Sequence, residues 1–191
     1  MIEEILAYNK KFVANKDYEH FTTDKYPNKK LAIVSCMDTR LTELLPQALG
    51  LKNGDAKMIK NAGGVISSPF GSAMRSLLIA IYELGVEEIM VIGHTDCGVS
   101  HTDSNRMITL MKERGVHQEA IDLMHYCGID FEKWLAGFET VEGSVKDAVH
   151  VIVHHPLVPE DVRVGGYIID SETGALSFVC DRKTFEEKAT E

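Results

Sequence analysis

The chain has 191 residues, enough for one domain with a continuous core, and its 45% hydrophobic and 26% charged residues are the mix of a folded globular protein. Its 29 acidic residues outnumber 20 basic ones, giving a formal net charge of -9. Scattered basic residues in an acidic chain argue against a nucleic-acid partner, whose phosphates require a clustered positive field.

Residues 1–19 form an expected amphipathic helix, with Ile2, Ile5, Leu6 and Val13 on one side and Tyr8 and Phe12 at its margin. This helix belongs to an N-terminal arm, residues 1–30, ahead of the main domain at 31–191. It either packs on its own core or clasps a partner subunit. "KLAIVSC" reads as a short apolar strand of the kind buried on both faces of a parallel sheet. "TELLPQALGL" predicts a helix that ends near Gly50 and carries Pro46, and "AKMIKNAGG" a second strand entering a glycine-rich loop. "SPFGSAMRSLLIAIYELG" predicts a helix with Pro69 near its start, Gly85 at its end and a core stripe of Leu77, Leu78, Ile81 and Leu84. "EEIMVIGH" is another buried strand, and the crossover lengths suit right-handed parallel pairing.

Residues 102–146 read as mainly helical, with loops at Gly115, "CGID" and "VEGS"; "AVHVIVHHP" reads as a fourth strand. "VGGYIIDSETGALSFV" is a hairpin pattern, with Gly174 at a left-handed turn position. These elements define an α/β fold: a single domain with a central mostly parallel β-sheet, an antiparallel edge and flanking helices. No apolar run has membrane-spanning length, and the first residues lack a secretory-signal pattern. The expected location is the cytoplasm, with no membrane partner.

Four cysteines, at 36, 97, 127 and 180, are too few for a disulfide scaffold. "SCMD" closes the first strand much as "GHTDCG" closes the third, and parallel strands deliver their C-terminal ends to one edge of the sheet. Cys36, His94 and Cys97 can therefore converge. Two thiolates and an imidazole suit tetrahedral zinc and leave one position open; packed thiols beside a hydrogen-bonded histidine are the alternative. Asp38 can reach that position or accept a hydrogen bond from water there, and Arg40 can hold its carboxylate with paired donors. Asp96 is expected to cap a following helix, with a direct catalytic role as the lesser alternative. His101 is a proton relay or an ordinary histidine, His154 and His155 close the supposed fourth strand, and Cys127 and Cys180 read as free buried thiols.

The segments "CMDTR" at 36–40, "KNAGG" at 60–64, "HTDCG" at 94–98 and "VGGYIIDSETGAL" at 164–176 together resemble the β-class carbonic anhydrases. The resemblance spans about residues 31–180. It implies a zinc lyase with one Zn2+ per subunit held by Cys36, His94 and Cys97, and with Asp38 and Arg40 as the catalytic dyad. It implies reversible hydration of carbon dioxide to bicarbonate and a proton by metal-bound hydroxide, with backbone of Ala62, Gly63 and Gly64 lining the substrate pocket. Members also occur in a closed form in which the aspartate takes the fourth zinc position, a place open to Asp38. The tryptophan, arginine and tyrosine of a non-catalytic bicarbonate site in some members are not matched: Ile33 and Lys60 stand at the corresponding positions, and Trp134 lies elsewhere. The resemblance also implies a homodimer or higher homo-oligomer, with the N-terminal helix crossing a partner. Two other readings keep the metal: a hydrolase acting on carbon disulfide, and a non-catalytic zinc protein of bicarbonate sensing or assembly.

Overall fold

The computed structural model describes residues 1–186. Five strands, β1 (Leu31–Cys36), β2 (Ala56–Asn61), β3 (Glu88–His94), β4 (Arg163–Ile169) and β5 (Leu176–Asp181), form one sheet in the order β2-β1-β3-β4-β5. The first three pairings are parallel and the last, β4 with β5, is antiparallel. The central strands lie between two apolar layers, so β1 and β3 are buried almost throughout. This burial on both faces is why they read as continuous apolar runs without polar alternation.

Helices α1 (Ile2–Ala14), α2 (Leu41–Ala48), α3 (Ser72–Tyr82), α4 (Ser104–Glu113), α5 (Gln118–Tyr126), α6 (Phe131–Trp134), α7 (Val141–Val153) and α8 (Arg182–Glu186) complete the described chain. The larger core joins Ala32, Val34, Ile89 and Val91 of the sheet to Met74 and Leu77 of α3 and to Val145, Val149 and Ile152 of α7. The alternate residues Ile33 and Ile92 join Leu41 and Leu45 of α2, and this smaller cluster includes Cys36 and Cys97. The period of two along each strand thus divides one apolar run between two layers.

Helix α7 occupies the segment expected to hold a fourth strand. Val145, Ala148, Val149 and Ile152 are its buried apolar residues. Their spacing of three and four is that of one helical face. "VEGS" is the first turn of this helix rather than a loop, capped by the Thr140 hydroxyl, which accepts from Gly143 N–H at 3.0 Å. The true fourth strand is the first arm of the predicted hairpin. Helix α7 lies so close to the sheet that a Cβ at Gly166 would stand 2.6 Å from Val145 Cγ1 and 3.0 Å from Val149 Cγ2.

Helix α1 buries none of its residues, and a 3-10 turn at Asp17–Phe21 follows it. Packing on its own core is therefore not what the helix does. Among the described residues, no helix is long and apolar enough to cross a membrane.

Candidate metal centre

Cys36 is the last residue of β1 and His94 the last of its parallel neighbour β3, so the sheet itself sets these two side by side. The chain then turns sharply through Asp96, whose φ of +52° is left-handed, and returns Cys97 to the same point. The Cys36 and Cys97 sulfurs are 3.9 Å apart. With His94 they form a buried set whose ligand atoms all lie within 4.8 Å of one another.

The donor chemistry fits a zinc ion. His94 Nδ1 lies 2.8 Å from the Thr95 carbonyl oxygen. A carbonyl only accepts, so Nδ1 carries the proton and Nε2 presents its lone pair. That Nε2 is buried without a hydrogen-bond partner, an expensive arrangement unless it faces a cation. Burial, with the nearby Cys36 sulfur, pushes the Cys97 thiol up from its ordinary value, so two adjacent thiolates here require compensating positive charge. Zinc–thiolate bonds of about 2.3 Å at a tetrahedral angle place two sulfurs about 3.8 Å apart, matching the observed pair.

Asp38 lies in the turn after β1. Its Oδ1 accepts from the Arg40 backbone N–H at 2.9 Å and from Arg40 Nε at 3.0 Å, and its Oδ2 accepts from Nη2 at 2.9 Å. This paired guanidinium contact outweighs partial burial and draws the Asp38 carboxyl down to about 2. Asp38 Oδ2 is 3.9 Å from His94 Nε2, so the carboxylate stands beside the ligand set. Arg40 is shared: its Nη1 donates to Asp96 Oδ2 at 3.0 Å and its Nη2 to the Asp96 carbonyl at 2.8 Å.

Asp96 therefore does not cap a helix. The next helix starts at Ser104 and is capped by Asp103, which accepts from Asn105 N–H at 2.8 Å. The Arg40–Asp96 contact was hidden in the sequence because it depends on two strand ends lying together. Lys60 stood out in the sequence only as a departure at a bicarbonate-site position, and its approach to β1 was not legible there. Its Nζ lies 3.4 Å from the Cys36 and Leu41 carbonyl oxygens, and burial lowers its pKa.

Asn61 fixes the glycine turn through hydrogen bonds with Val65, donating to its carbonyl at 2.8 Å and accepting from its N–H at 2.9 Å. Gly64, at φ +67°, lies so near β1 that an added Cβ would be 2.9 Å from Cys36 N. Gly63 and Gly64 are buried, whereas Ala62 is exposed and lines an apolar hollow with Val65, Val99 and Phe138.

The remaining candidates stay apart from the ligand set. His101 and His154 are exposed. His155 is buried, with Nε2 3.0 Å from the Pro69 carbonyl and Nδ1 accepting from Leu157 N–H at 3.2 Å, a satisfied structural histidine. Cys180 is buried as expected, but Cys127 is exposed, because it ends α5 on the outer side of the helical excursion.

A parallel sheet with a Cys-His-Cys set at its C-terminal edge, joined to an Asp–Arg clamp, defines a metal-site protein of the β-carbonic anhydrase architecture. The sequence profile of the carbonic anhydrase family matches residues 31–176. YtiB of Bacillus subtilis (strain 168) is 51% identical over 179 residues, covering 94% of this chain and 96% of YtiB. The crystal structure of β-carbonic anhydrase isoform I from Trichomonas vaginalis superposes with a TM-score of 0.86 at 32% identity, over 95% of this chain and 98% of that one. A carbon disulfide hydrolase of Acidithiobacillus thiooxidans is 32% identical over 158 residues, covering 78% of this chain and 76% of the hydrolase. The chain belongs to the β-carbonic anhydrase family.

Proposed function

We propose that this protein is a zinc-dependent carbonic anhydrase that reversibly hydrates carbon dioxide to bicarbonate and a proton. Cys36, His94 and Cys97 would hold one Zn2+ per subunit. Zinc, when bound, supplies Lewis-acid activation of water near neutral pH.

The observation that carries the proposal is the Asp38 carboxylate, clamped by Arg40 and only 3.9 Å from the metal-facing nitrogen of His94. Ionised Asp38 is an acceptor only, so it can receive the hydrogen of an attacking water and turn the oxygen lone pair toward the carbon of carbon dioxide. Arg40 holds Asp38 back from the ligand set and preserves its charge. The clamp also keeps Asp38 within reach of the metal, so release from Arg40 would give the closed form. Backbone at Gly63 and Gly64 supplies a wall without side chains, with Ala62 at its outer margin. The overall reaction adds water oxygen to carbon and releases one proton to solvent.

The exposed apolar stripe of α1 supports a homodimer or larger homo-oligomer in which that helix lies on a second copy. The free thiols of Cys36 and Cys97 suit a reducing cytoplasm, where they serve as ligands rather than a disulfide.

The test is stopped-flow hydration of carbon dioxide by zinc-replete protein, with carbon disulfide hydrolysis measured on the same preparation. Hydration well above the metal-free protein is the expected result. Inactivity toward carbon dioxide with zinc bound would reject the proposal. Activity confined to carbon disulfide would support the second reading, which the likeness to a carbon disulfide hydrolase favours.

A further inference from the structure

The peptide that carries His94 is tied to the turn of the β4–β5 hairpin. Ser171, in that turn, is buried at 7% exposure and meets Thr95 three times. Its backbone N–H donates to Thr95 Oγ1 at 2.9 Å, and its hydroxyl donates to the Thr95 carbonyl at 3.1 Å. The two hydroxyl oxygens are 3.1 Å apart. Since the Ser171 proton goes to a carbonyl, the Thr95 hydroxyl supplies the proton between them. The three bonds close a ring in which each hydroxyl donates once.

The Thr95 carbonyl in that ring is the same one that accepts from His94 Nδ1. Its direction fixes the plane of the imidazole and the aim of Nε2. Thr95 N–H donates in turn to the Ile169 carbonyl at 3.1 Å, so the peptide groups on both sides of Thr95 are anchored, one to β4 and the other to its turn. Partners of this kind orient a metal-binding histidine, and removing one costs roughly 10–100-fold in metal affinity.

We propose that Ser171 is a positioning residue for His94: it holds the Thr95 carbonyl in the direction that aims His94 Nε2 at the metal. The hairpin turn is thereby part of the metal centre, although it contributes no ligand. The proposal rests on Cys36, His94 and Cys97 being the metal ligands and is independent of the substrate.

The neighbouring Asp170 provides the control for a merely structural role. Its Oδ1 accepts from Glu172 N–H, Thr173 N–H and Thr173 Oγ1 at 3.1, 2.7 and 2.8 Å, bracing the same turn without touching Thr95. Zinc affinity and dissociation rate are measured on the full chain by competition with a chromophoric chelator, beside the Tm of each metal-free protein. Ser171→Ala should bind zinc about tenfold more weakly, the low end for loss of an outer partner because the Thr95 carbonyl itself remains. Ser171→Thr, which keeps the hydroxyl, should restore affinity. Asp170→Ala should lower Tm and leave zinc affinity near wild type. Ser171→Gly removes the same hydroxyl and its bond to the Thr95 carbonyl and should match Ser171→Ala, so the proposal stands or falls even if one of the two fails to fold.

Unchanged zinc affinity in Ser171→Ala or Ser171→Gly would overturn the proposal. So would a zinc loss in Asp170→Ala as large as that in Ser171→Ala, which would make affinity a reflection of turn stability. If variants lacking Cys36, His94 or Cys97 bind zinc as tightly as wild type, the ligand assignment itself fails and this inference with it.

Discussion

Asp38 Oδ2 lies 2.9 Å from Arg40 Nη2 and 3.9 Å from His94 Nε2, so one carboxylate faces both a fixed guanidinium and the buried, unpartnered nitrogen of the candidate metal site. Asp38→Ala should retain zinc and lose at least about 100-fold in hydration rate, the usual scale for removing a positioned proton acceptor. Metal analysis beside stopped-flow kinetics checks both halves, and normal turnover would remove Asp38 from the reaction. Because the folded carboxyl is drawn to about 2 from its ordinary 3.8, Asp38 is ionised across the neutral range. A depressed folded value stabilises the fold fully above the unfolded value, and that contribution fades as pH falls toward the folded one. The thermal stability of metal-free wild type relative to Asp38→Asn should therefore be flat above about pH 5 and decline from about pH 4 toward pH 2. A decline centred near neutrality would refute the assignment. Cys36→Ser replaces a thiolate with a neutral hydroxyl and should leave the purified protein depleted of zinc, read by elemental analysis. At this scale the convergence of Cys36, His94 and Cys97 was legible because each sits at or just beyond a strand end. The Arg40–Asp96 and Thr95–Ser171 contacts were not, since 56 and 76 residues separate the partners and no local pattern records them.

Helix α7 shows where local reading of elements gives way to packing. The run "AVHVIV" is rich in β-branched residues, which fit a strand by propensity. Its period is decided only when Val145 is counted with Ala148, Val149 and Ile152, all facing the sheet. Starting the reading at residue 148 loses the first of these. By contrast, β1 and β3 were legible because strands buried on both faces leave unbroken apolar runs. The same packing explains glycine at 166 in β4, where a side chain would enter space held by Val145, Val149 and Cys180. Gly166→Ala should therefore destabilise the protein by about 1–3 kcal/mol, as overpacked cores do. Chemical denaturation should show a lower midpoint with an unchanged slope; equal or greater stability would mean that α7 moves aside at no cost.

Across the molecule, apolar surface is left outside both cores. Ile5 and Leu6 of α1 are 62% and 57% exposed, and Phe178 of β5 is 60% exposed. Scattered apolar residues are normal on a surface, but a stripe repeating along a whole helix is suited to an apolar partner. The sequence showed this stripe and left its partner open; the fold removes the chain's own core as the answer. If a second copy covers it, Ile5→Asp combined with Leu6→Asp should shift the protein to monomer at concentrations where wild type is a dimer or larger. Because neither side chain is buried within the chain, the double variant should fold and keep its zinc ligands in place. Light scattering across a concentration series, with zinc content measured on the same samples, separates loss of assembly from loss of fold. A wild type that stays monomeric at every concentration would reject the second copy as the partner of α1, while an assembled double variant would place the interface on another face.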